Sequence, residues 1–289
     1  MTFITTSLFV DKKSIKHVLE QYATIGIKDI ELGAAHHYEE GIIEFVKKYK
    51  KKHHARFTIH GYFPPDKYNL IINLASQNPD ILKRSIAKVK EMIDTAKEIG
   101  AELCTFHAGM RVDPVHTGKP LERDIIYDYE DSYATFFESL LEICPYAEEQ
   151  GVKIGMEPNE LSEHNLVNDR NELLLMCELD EIKRLFEDLE TKGIANLGIL
   201  LDLGHLKVTA NNLKFDKEEF IQLVKDRVVE VHIHDNNGII DEHKMLKQGC
   251  WPLKILDRKL FKDPIITLES GPLDLKDIQA QIAILGGYE

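Results

Sequence analysis

The chain has 289 residues, of which 43% are hydrophobic and 29% are charged, and its formal net charge is −13. This acidic balance disfavours nucleic acid as a partner, because a surface that holds a phosphate backbone is usually basic. No apolar run approaches the roughly 20 residues of a membrane span and the first residues lack a basic leader, so we expect a soluble, cytoplasmic protein without a membrane partner. The sequence leaves the oligomeric state open, a homo-oligomer included.

The cysteines give no sign of a disulfide framework or a zinc ribbon. The chain has four, which are widely spaced and form no C-x-x-C pair: Cys104, Cys144, Cys177 and Cys250. Reduced, mostly buried thiols are the simplest interpretation. No linker rich in proline, glycine or serine interrupts the chain, so we expect a single domain over residues 1–289.

Short apolar runs alternate with longer amphipathic segments along the whole chain. We predict eight strands, at residues 3–9, 29–32, 56–62, 102–108, 152–157, 197–203, 228–234 and 264–270. Helical patterns lie between them, and several of these end in glycine, at Gly26, Gly100, Gly151 and Gly193. Eight strand–helix repeats predict an α/β fold, a single (β/α)8 TIM barrel whose catalytic groups come from the C-terminal ends of the strands.

An open, doubly wound sheet is the alternative fold. It would need a glycine-rich phosphate loop after the first strand, whereas here SLFV is followed by DKKS. The barrel also accounts better for the acidic residues at the later strand ends.

Four successive predicted strands end in a residue that can bind a metal ion: Glu157, Asp202, His232 and Glu269. A charged group that closes a buried strand is costly to desolvate unless a cation or another partner neutralises it. In a barrel these ends meet at one mouth, so a shared divalent metal ion would explain all four. Taken singly, each residue has a simpler explanation, as a buried histidine or as half of an ion pair.

Five further donors fall at the strand ends or in the loops that follow them. They are His60, His107, His205, Asp241 and His243. A set of imidazoles and carboxylates without a thiolate suits manganese, magnesium, cobalt, iron or zinc. We expect these five as additional ligands of a metal ion or of the substrate, with one ion as the simplest count and three as the upper bound.

Two segments resemble motifs of the xylose isomerase-like TIM barrels: ILLDLGH (199–205) and VHIHDNNGIIDEH (231–243). MEPNE (156–160) and TLES (267–270) support the resemblance, which covers nearly the whole chain. That superfamily includes sugar and sugar-phosphate isomerases and epimerases, and DNA repair enzymes of the endonuclease IV type. The resemblance implies a metal ion held by the four strand-end residues named above. Of these, Glu157 and Glu269 would also be the acid/base pair.

A sugar isomerase or epimerase removes a proton from the carbon beside a carbonyl and returns it to the neighbouring carbon or to the other face. A divalent ion stabilises the enediolate that forms, and two carboxylates serve as base and acid. We therefore interpret the chain as an isomerase or epimerase of carbohydrate metabolism that depends on Mn, Mg, Co or Zn. Its catalytic residues would be Glu157 and Glu269, and its substrate a sugar or sugar phosphate. A sugar or polyol dehydratase would need almost the same residues.

The same nine donors also resemble the ligand positions of the trinuclear zinc site in endonuclease IV. An apurinic/apyrimidinic phosphodiesterase is therefore the main alternative function. Against it, TTSLFVDKKS lacks the glycine-rich opening of that family, and MEPNELSEHN does not resemble its glutamate loop. A barrel that binds a sugar without turnover is a second alternative.

Three more residues are candidates for contacts with the substrate. Glu31 ends the second strand and Asp235 closely follows His232, so both would face the mouth. Lys247 stands where close sugar-acting relatives usually have a glycine, and it could reach a phosphate or carboxylate. Hydrogen bonds within a loop, or solvent exposure for the lysine, are the simpler explanations.

Overall fold

Eight parallel strands close into a barrel in the computed structural model of the chain, which describes residues 2–68, 70–116 and 120–287. Each strand pairs with the next one in the chain, and the last pairs with the first, which excludes an open sheet. The predicted barrel and its eight strands are confirmed, although most strands are shorter than predicted. They are β1 (Thr2–Thr5), β2 (Asp29–Leu32), β3 (Arg56–His60), β4 (Cys104–His107), β5 (Ile154–Glu157), β6 (Leu197–Asp202), β7 (Val228–Ile233) and β8 (Ile265–Leu268).

Helices follow the strands, and the residues at their ends are those that commonly cap helices. Asn78 caps the start of the helix Pro79–Ile99, where Pro79 is the first helical residue, and Gly100 ends it in the left-handed conformation with φ 64°. Gly151 ends the helix Tyr129–Gln150 in the same way. Within the described part of the chain the helices are α1 (Ile15–Thr24), α2 (Ile42–His53), α3 (Pro79–Ile99), α4 (Tyr129–Gln150), α5 (Leu179–Thr191), α6 (Leu203–Leu213), α7 (Lys217–Val224), α8 (Trp251–Asp257) and α9 (Leu275–Leu285).

The main core lies between the strands and the helices that cover them. Every residue of β6 is buried, as expected for a parallel strand that is covered on both faces. Tyr22 of α1 and Val46 of α2 belong to the same apolar cluster as Ile30 and Phe57 of the strands. Of the helices in the described residues, none is long and apolar enough to cross a membrane.

The long segments after β4 and β5 pack against each other. Backbone hydrogen bonds join them, with the N–H of Arg111 donating to the carbonyl of Leu173 at 2.7 Å and the N–H of Leu175 donating to that of Gly109 at 3.1 Å. A small separate apolar cluster fills the space between them, formed by Val112, Leu161, Leu173, Leu174 and Cys177. These two segments therefore form one packed structure next to the C-terminal ends of the strands.

A candidate metal centre at the barrel mouth

The register of the barrel brings the strand-end donors together. His107 pairs with Glu157 across β4 and β5, and Asp202 pairs with His232 across β6 and β7. Glu269 follows β8 directly, where its N–H donates to the carbonyl of Ile233 at 3.1 Å. Because parallel neighbours hold these residues at the same level, their side chains share the C-terminal end of the barrel.

Asp202 has two structural roles, since it ends β6 and also caps α6. Its Oδ1 accepts a hydrogen bond from the backbone N–H of His205 at 2.7 Å. The first turn of α6 then places His205 next to Glu157, with 2.8 Å between Nδ1 of the histidine and Oε1 of the glutamate. The spacing of aspartate and histidine in ILLDLGH thus puts both side chains in one site.

Glu157 is fully buried and faces three imidazole rings. Its Oε2 lies 3.3 Å from Nε2 of His60 and 3.2 Å from Nδ1 of His107, while Oε1 faces His205. Burial raises the pKa of Glu157, but the nearby His107 and the hydrogen bond from His205 outweigh that effect and hold it far below its usual range. Burial lowers the pKa of His60 to about 4, so this ring is neutral near pH 7 and can offer a lone pair to a cation.

His232 lies between two carboxylates. Its Nδ1 is 2.9 Å from Oε2 of Glu269, and its Nε2 is 2.9 Å from Oε2 of Glu31. Burial opposes the charged form of the ring, but Glu31 and Glu269 raise the pKa of His232 well above its usual value. Burial raises the pKa of Glu31 to about 7. Glu31 is thus a hydrogen-bond partner of His232 that lies inside the barrel, with no exposed surface of its own.

A second group of donors lies next to the first. Oδ2 of Asp241 is 2.6 Å from Nε2 of His243 and 3.3 Å from Nε2 of His205. Burial raises the pKa of Asp241, but these two histidines lower it far below its usual range. Burial lowers the pKa of His243, yet Asp241 and Glu269 raise it to about 9. The loop after β7 therefore contributes two donors that face the start of α6.

Buried polar atoms at the mouth lack hydrogen-bond partners among the described residues. They include Oε2 of Glu157, Oδ2 of Asp202, Oδ1 of Asp241 and Nε2 of His234. Such atoms are costly to leave unsatisfied, and a nearby cation is a partner that each of them could accept. One donor atom each from Asp202, His232 and Glu269 lies within 4.8 Å of the others. These residues therefore fit a divalent metal ion that prefers oxygen and imidazole ligands.

The structure brings the nine predicted donors to one end of the barrel, but it places the three predicted substrate contacts differently. Glu31 is fully buried against His232. Asp235 is paired with Lys207, with 2.8 Å between Oδ1 and Nζ. Lys247 is exposed. The first two residues thus already have protein partners and the third is exposed to solvent, and the contact of each with a substrate stays a prediction.

His234 is a donor that the sequence analysis missed. It is fully buried, and its Nε2 lies 3.1 Å from Oδ1 of Asp202 and 3.6 Å from Oδ1 of Asp241. The sequence did contain a signal, because residues two apart on a strand point to the same face. A histidine two positions after His232 is therefore expected to face the same mouth.

A cavity of about 1020 Å³ opens next to the site. His243 lines the cavity and so connects it to the metal-binding side chains, and His36, Tyr62 and Lys88 supply further polar groups. Burial lowers the pKa of His36 to about 4, so this ring is neutral near pH 7. Small-molecule sites range from about 300 to 1,000 Å³, so the cavity has room for a sugar with a substituent.

The chain matches the model of the xylose isomerase-like TIM barrel family over residues 19–283. It therefore belongs to that family, and the resemblance seen in its motifs is confirmed.

The proteins similar to this chain include two named for 3-epimerases and one named as an AP endonuclease. The chain is 25% identical to the fructoselysine 3-epimerase of Shigella flexneri over 258 residues, which is 86% of this chain and 80% of that protein. The crystal structure of a D-tagatose 3-epimerase-like protein superposes with a TM-score of 0.75 at 20% identity, over 99% of this chain and 96% of that one. The AP endonuclease, family 2, from Brucella melitensis gives 0.69 at 15% identity, over 100% and 98%. At these identities, the two structures show a shared fold alone.

Proposed function

We propose that the protein is a divalent-metal-dependent epimerase or isomerase of a sugar or sugar phosphate. The observation that carries this proposal is the pair of carboxylates Glu157 and Glu269, which lie at the same barrel mouth as Asp202 and His232, next to a cavity. The match to a fructoselysine 3-epimerase over most of both chains supports the same class of reaction.

The metal ion would be held by Glu157, Asp202, His232 and Glu269. Manganese, magnesium, cobalt and zinc all accept carboxylate and imidazole ligands. When bound, the ion supplies positive charge next to the substrate oxygens on which negative charge develops. Glu31 keeps the ring of His232 oriented through the bond to Nε2, which leaves Nδ1 facing the site.

The two glutamates carry out the proton transfer in this proposal. One carboxylate removes the proton from the carbon beside the carbonyl, and the other returns a proton to the opposite face or to the neighbouring carbon. Burial raises the pKa of both groups, but the histidines around them, His107 and His205 for Glu157 and His232 for Glu269, outweigh it. Either carboxylate can therefore be the ionised base near neutral pH, and the other must take up a proton from solvent before it can act as the acid.

Replacing each glutamate by glutamine tests this assignment. Glu157→Gln and Glu269→Gln keep the size of the side chain but remove its ability to accept a proton. We expect each variant to lower the rate of deuterium incorporation from solvent into the sugar by about 10²- to 10⁴-fold. Glu163→Gln, at an exposed position in the loop after β5, is the matched control. Wild-type exchange in either active-site variant, measured at saturating metal, would refute the assignment.

A second function is favoured by the convergence of all nine donors at one mouth. An abasic-site phosphodiesterase of the endonuclease IV kind would use three ions there. Incision of a DNA duplex with one abasic site, with no exchange on any sugar, would support it. A dehydratase would be recognised by a product that has lost one water.

A further inference from the structure

We infer that the substrate is a sugar joined to a neutral, largely apolar group, and that this group occupies the cavity next to the barrel mouth. The inference rests on the proposed epimerase or isomerase function and defines its substrate class more closely. We call the part of the cavity between the loops after β2 and β3 the apolar subsite. Its wall is formed by Ala34, Ala35, Tyr62, Pro65, Leu70 and Ile71.

The cavity extends well beyond the metal-binding side chains. Of the nine donors, which all lie in the described part of the chain, His243 alone lines it. A sugar held among the donors therefore reaches only one end of the cavity. The volume of about 1020 Å³ lies at the upper end of the range for sites that bind drug-sized molecules, about 300 to 1,000 Å³. This space indicates that the substrate carries a second group beyond the sugar ring.

The histidines of the cavity wall do not form a site for a phosphate group. Nδ1 of His36 is bonded to the carbonyl of Lys12, and Nε2 lies 2.8 Å from Oγ1 of Thr6. A carbonyl only accepts hydrogen bonds, so Nδ1 carries the hydrogen and Nε2 accepts from the threonine hydroxyl. Both nitrogens of this neutral ring are thus used within the protein. His37 and His116 are exposed to solvent, where the attraction between charges is weak.

The lysine of the cavity wall is already neutralised. Lys88 is buried, and its Nζ donates to the carbonyl of Pro64 and to Oε2 of Glu91 at 2.8 Å. Asp66 adds a carboxylate to the same wall, and its Oδ1 accepts a hydrogen bond from the N–H of Tyr68 at 2.7 Å. A phosphate is usually bound by cations and N–H groups that are free to face it. The wall therefore disfavours a phosphate as the second group.

The side chains of the apolar subsite favour a hydrocarbon group instead. Tyr62, Leu70 and Ile71 are only half-buried, so a ligand that covers them removes apolar surface from water. Burial raises the pKa of Tyr62 to about 12, so its ring carries no charge near pH 7. The loop after β2 contributes the small side chains of Ala34 and Ala35, which leave the subsite wide. An aromatic or aliphatic group fits these surroundings.

Matched sugars with and without a hydrocarbon group test the inference. The probes are D-fructose and D-tagatose, their 1-O-benzyl and 6-O-benzyl ethers, and their 6-phosphates. Calorimetric titration of metal-loaded protein measures binding, and NMR measures deuterium exchange from solvent. We expect one benzyl ether to bind and to exchange about 10- to 100-fold better than its parent ketose, because the protein covers the benzyl group. No gain from either benzyl position, or a preference for a phosphate over both ethers, would overturn the inference.

The same measurements separate this inference from the proposed function. Exchange on the free ketoses without a gain from the benzyl group would overturn the inference alone. A lack of exchange on every sugar would contradict the proposed function. Tighter binding of a benzyl ether in the calorimeter would then still support the apolar subsite, and equal binding would overturn it.

Substitutions in the apolar subsite give a second test. Ile71→Gln makes its wall more polar and Ala34→Leu makes it narrower. We expect each change to lower the ratio of kcat/KM for the benzyl ether to kcat/KM for the free ketose by about 10-fold. The ratio is independent of the amount of folded protein. Ile125→Gln, at an isoleucine that is 68% exposed in the loop after β4, is the matched control and should keep the wild-type ratio. A wild-type ratio in both subsite variants would overturn the inference.

Discussion

At the scale of single residues, Glu31 shows how a group outside the donor set can control a ligand. Its carboxylate lies 2.9 Å from Nε2 of His232, and both side chains are fully buried. A histidine that is fixed through one nitrogen presents the other to a metal ion in a defined direction and with greater basicity. These contacts favour a role for Glu31 in positioning His232, and its contact with a substrate stays a prediction.

We predict that Glu31→Gln weakens metal binding at the catalytic centre by about 10- to 100-fold without abolishing it. Glutamine keeps the volume of the side chain but removes the negative charge next to His232. Isothermal titration of the metal-free protein with Mn²⁺ measures the affinity.

Glu181→Gln is the matched control for this prediction. Glu181 is also a buried carboxylate whose pKa is raised to about 7 by burial, but it lies at the start of α5. Equal Mn²⁺ affinities in the Glu31 and Glu181 variants would contradict the positioning role.

At the scale of secondary-structure elements, the start of α5 contains a buried carboxylate that is not part of the metal-binding group. Glu181 accepts hydrogen bonds from the N–H groups of Cys177 and Glu178 at 2.8 Å and 3.0 Å. These bonds favour its charged form, but burial is the larger effect and raises its pKa to about 7. The folded protein therefore holds a proton on this residue in a pH range in which the unfolded chain does not.

We predict that Glu181 makes the protein less stable as pH rises. The folded pKa of about 7 lies above the usual value of 4.5, so the stabilisation is complete below about pH 4.5 and is lost as pH rises through 7. Between pH 5 and pH 8 this one group should lower the free energy of unfolding by about 2 kcal/mol. Urea unfolding of the wild type and Glu181→Gln at both pH values measures it, and a pH-independent difference between the two proteins would contradict it.

The strands could be predicted from the sequence because buried parallel strands give short, continuous apolar runs. LGILLD of β6 is buried at every position, and the acidic residue that ends it was visible as an exception. The first strand was predicted too long, since residues 6–8 form a short 3-10 turn that its apolar pattern does not reveal. When the apolar runs predict which strands pair in the barrel, they also predict that the residues at the ends of those strands lie at the same height in it.

The partners of individual side chains could not be predicted in the same way. The pairing of Asp235 with Lys207 joins two different elements, and the bond between Glu31 and His232 spans 201 positions in the chain. Both depend on three-dimensional distances that no local pattern contains. His234 differs from these, since its direction follows from that of His232 on the same strand.

At the scale of the whole molecule, the net charge of −13 bears on the choice between a sugar and DNA. A duplex is held by basic groups that displace counterions from its phosphates, and this chain has 36 lysine and arginine residues against 49 acidic ones. We predict that a labelled duplex with one abasic site binds only weakly, with a dissociation constant above about 10⁻⁵ M at physiological salt. Fluorescence anisotropy measures this, and tight binding followed by incision would favour the repair function.

The central claim is that metal-binding side chains between positions 60 and 269 meet around a divalent ion. Two of them, Glu157 and Glu269, would then move a proton from and to a carbon of the bound sugar. The most direct test is deuterium incorporation from solvent into a panel of ketoses and their phosphates, followed by NMR with metal-loaded, chelator-treated and reloaded protein. We expect incorporation at the carbon beside the carbonyl of at least one sugar, its loss on chelation and its recovery on reloading. Exchange that survives complete removal of the metal, or no exchange on any sugar by fully loaded protein, would contradict the claim.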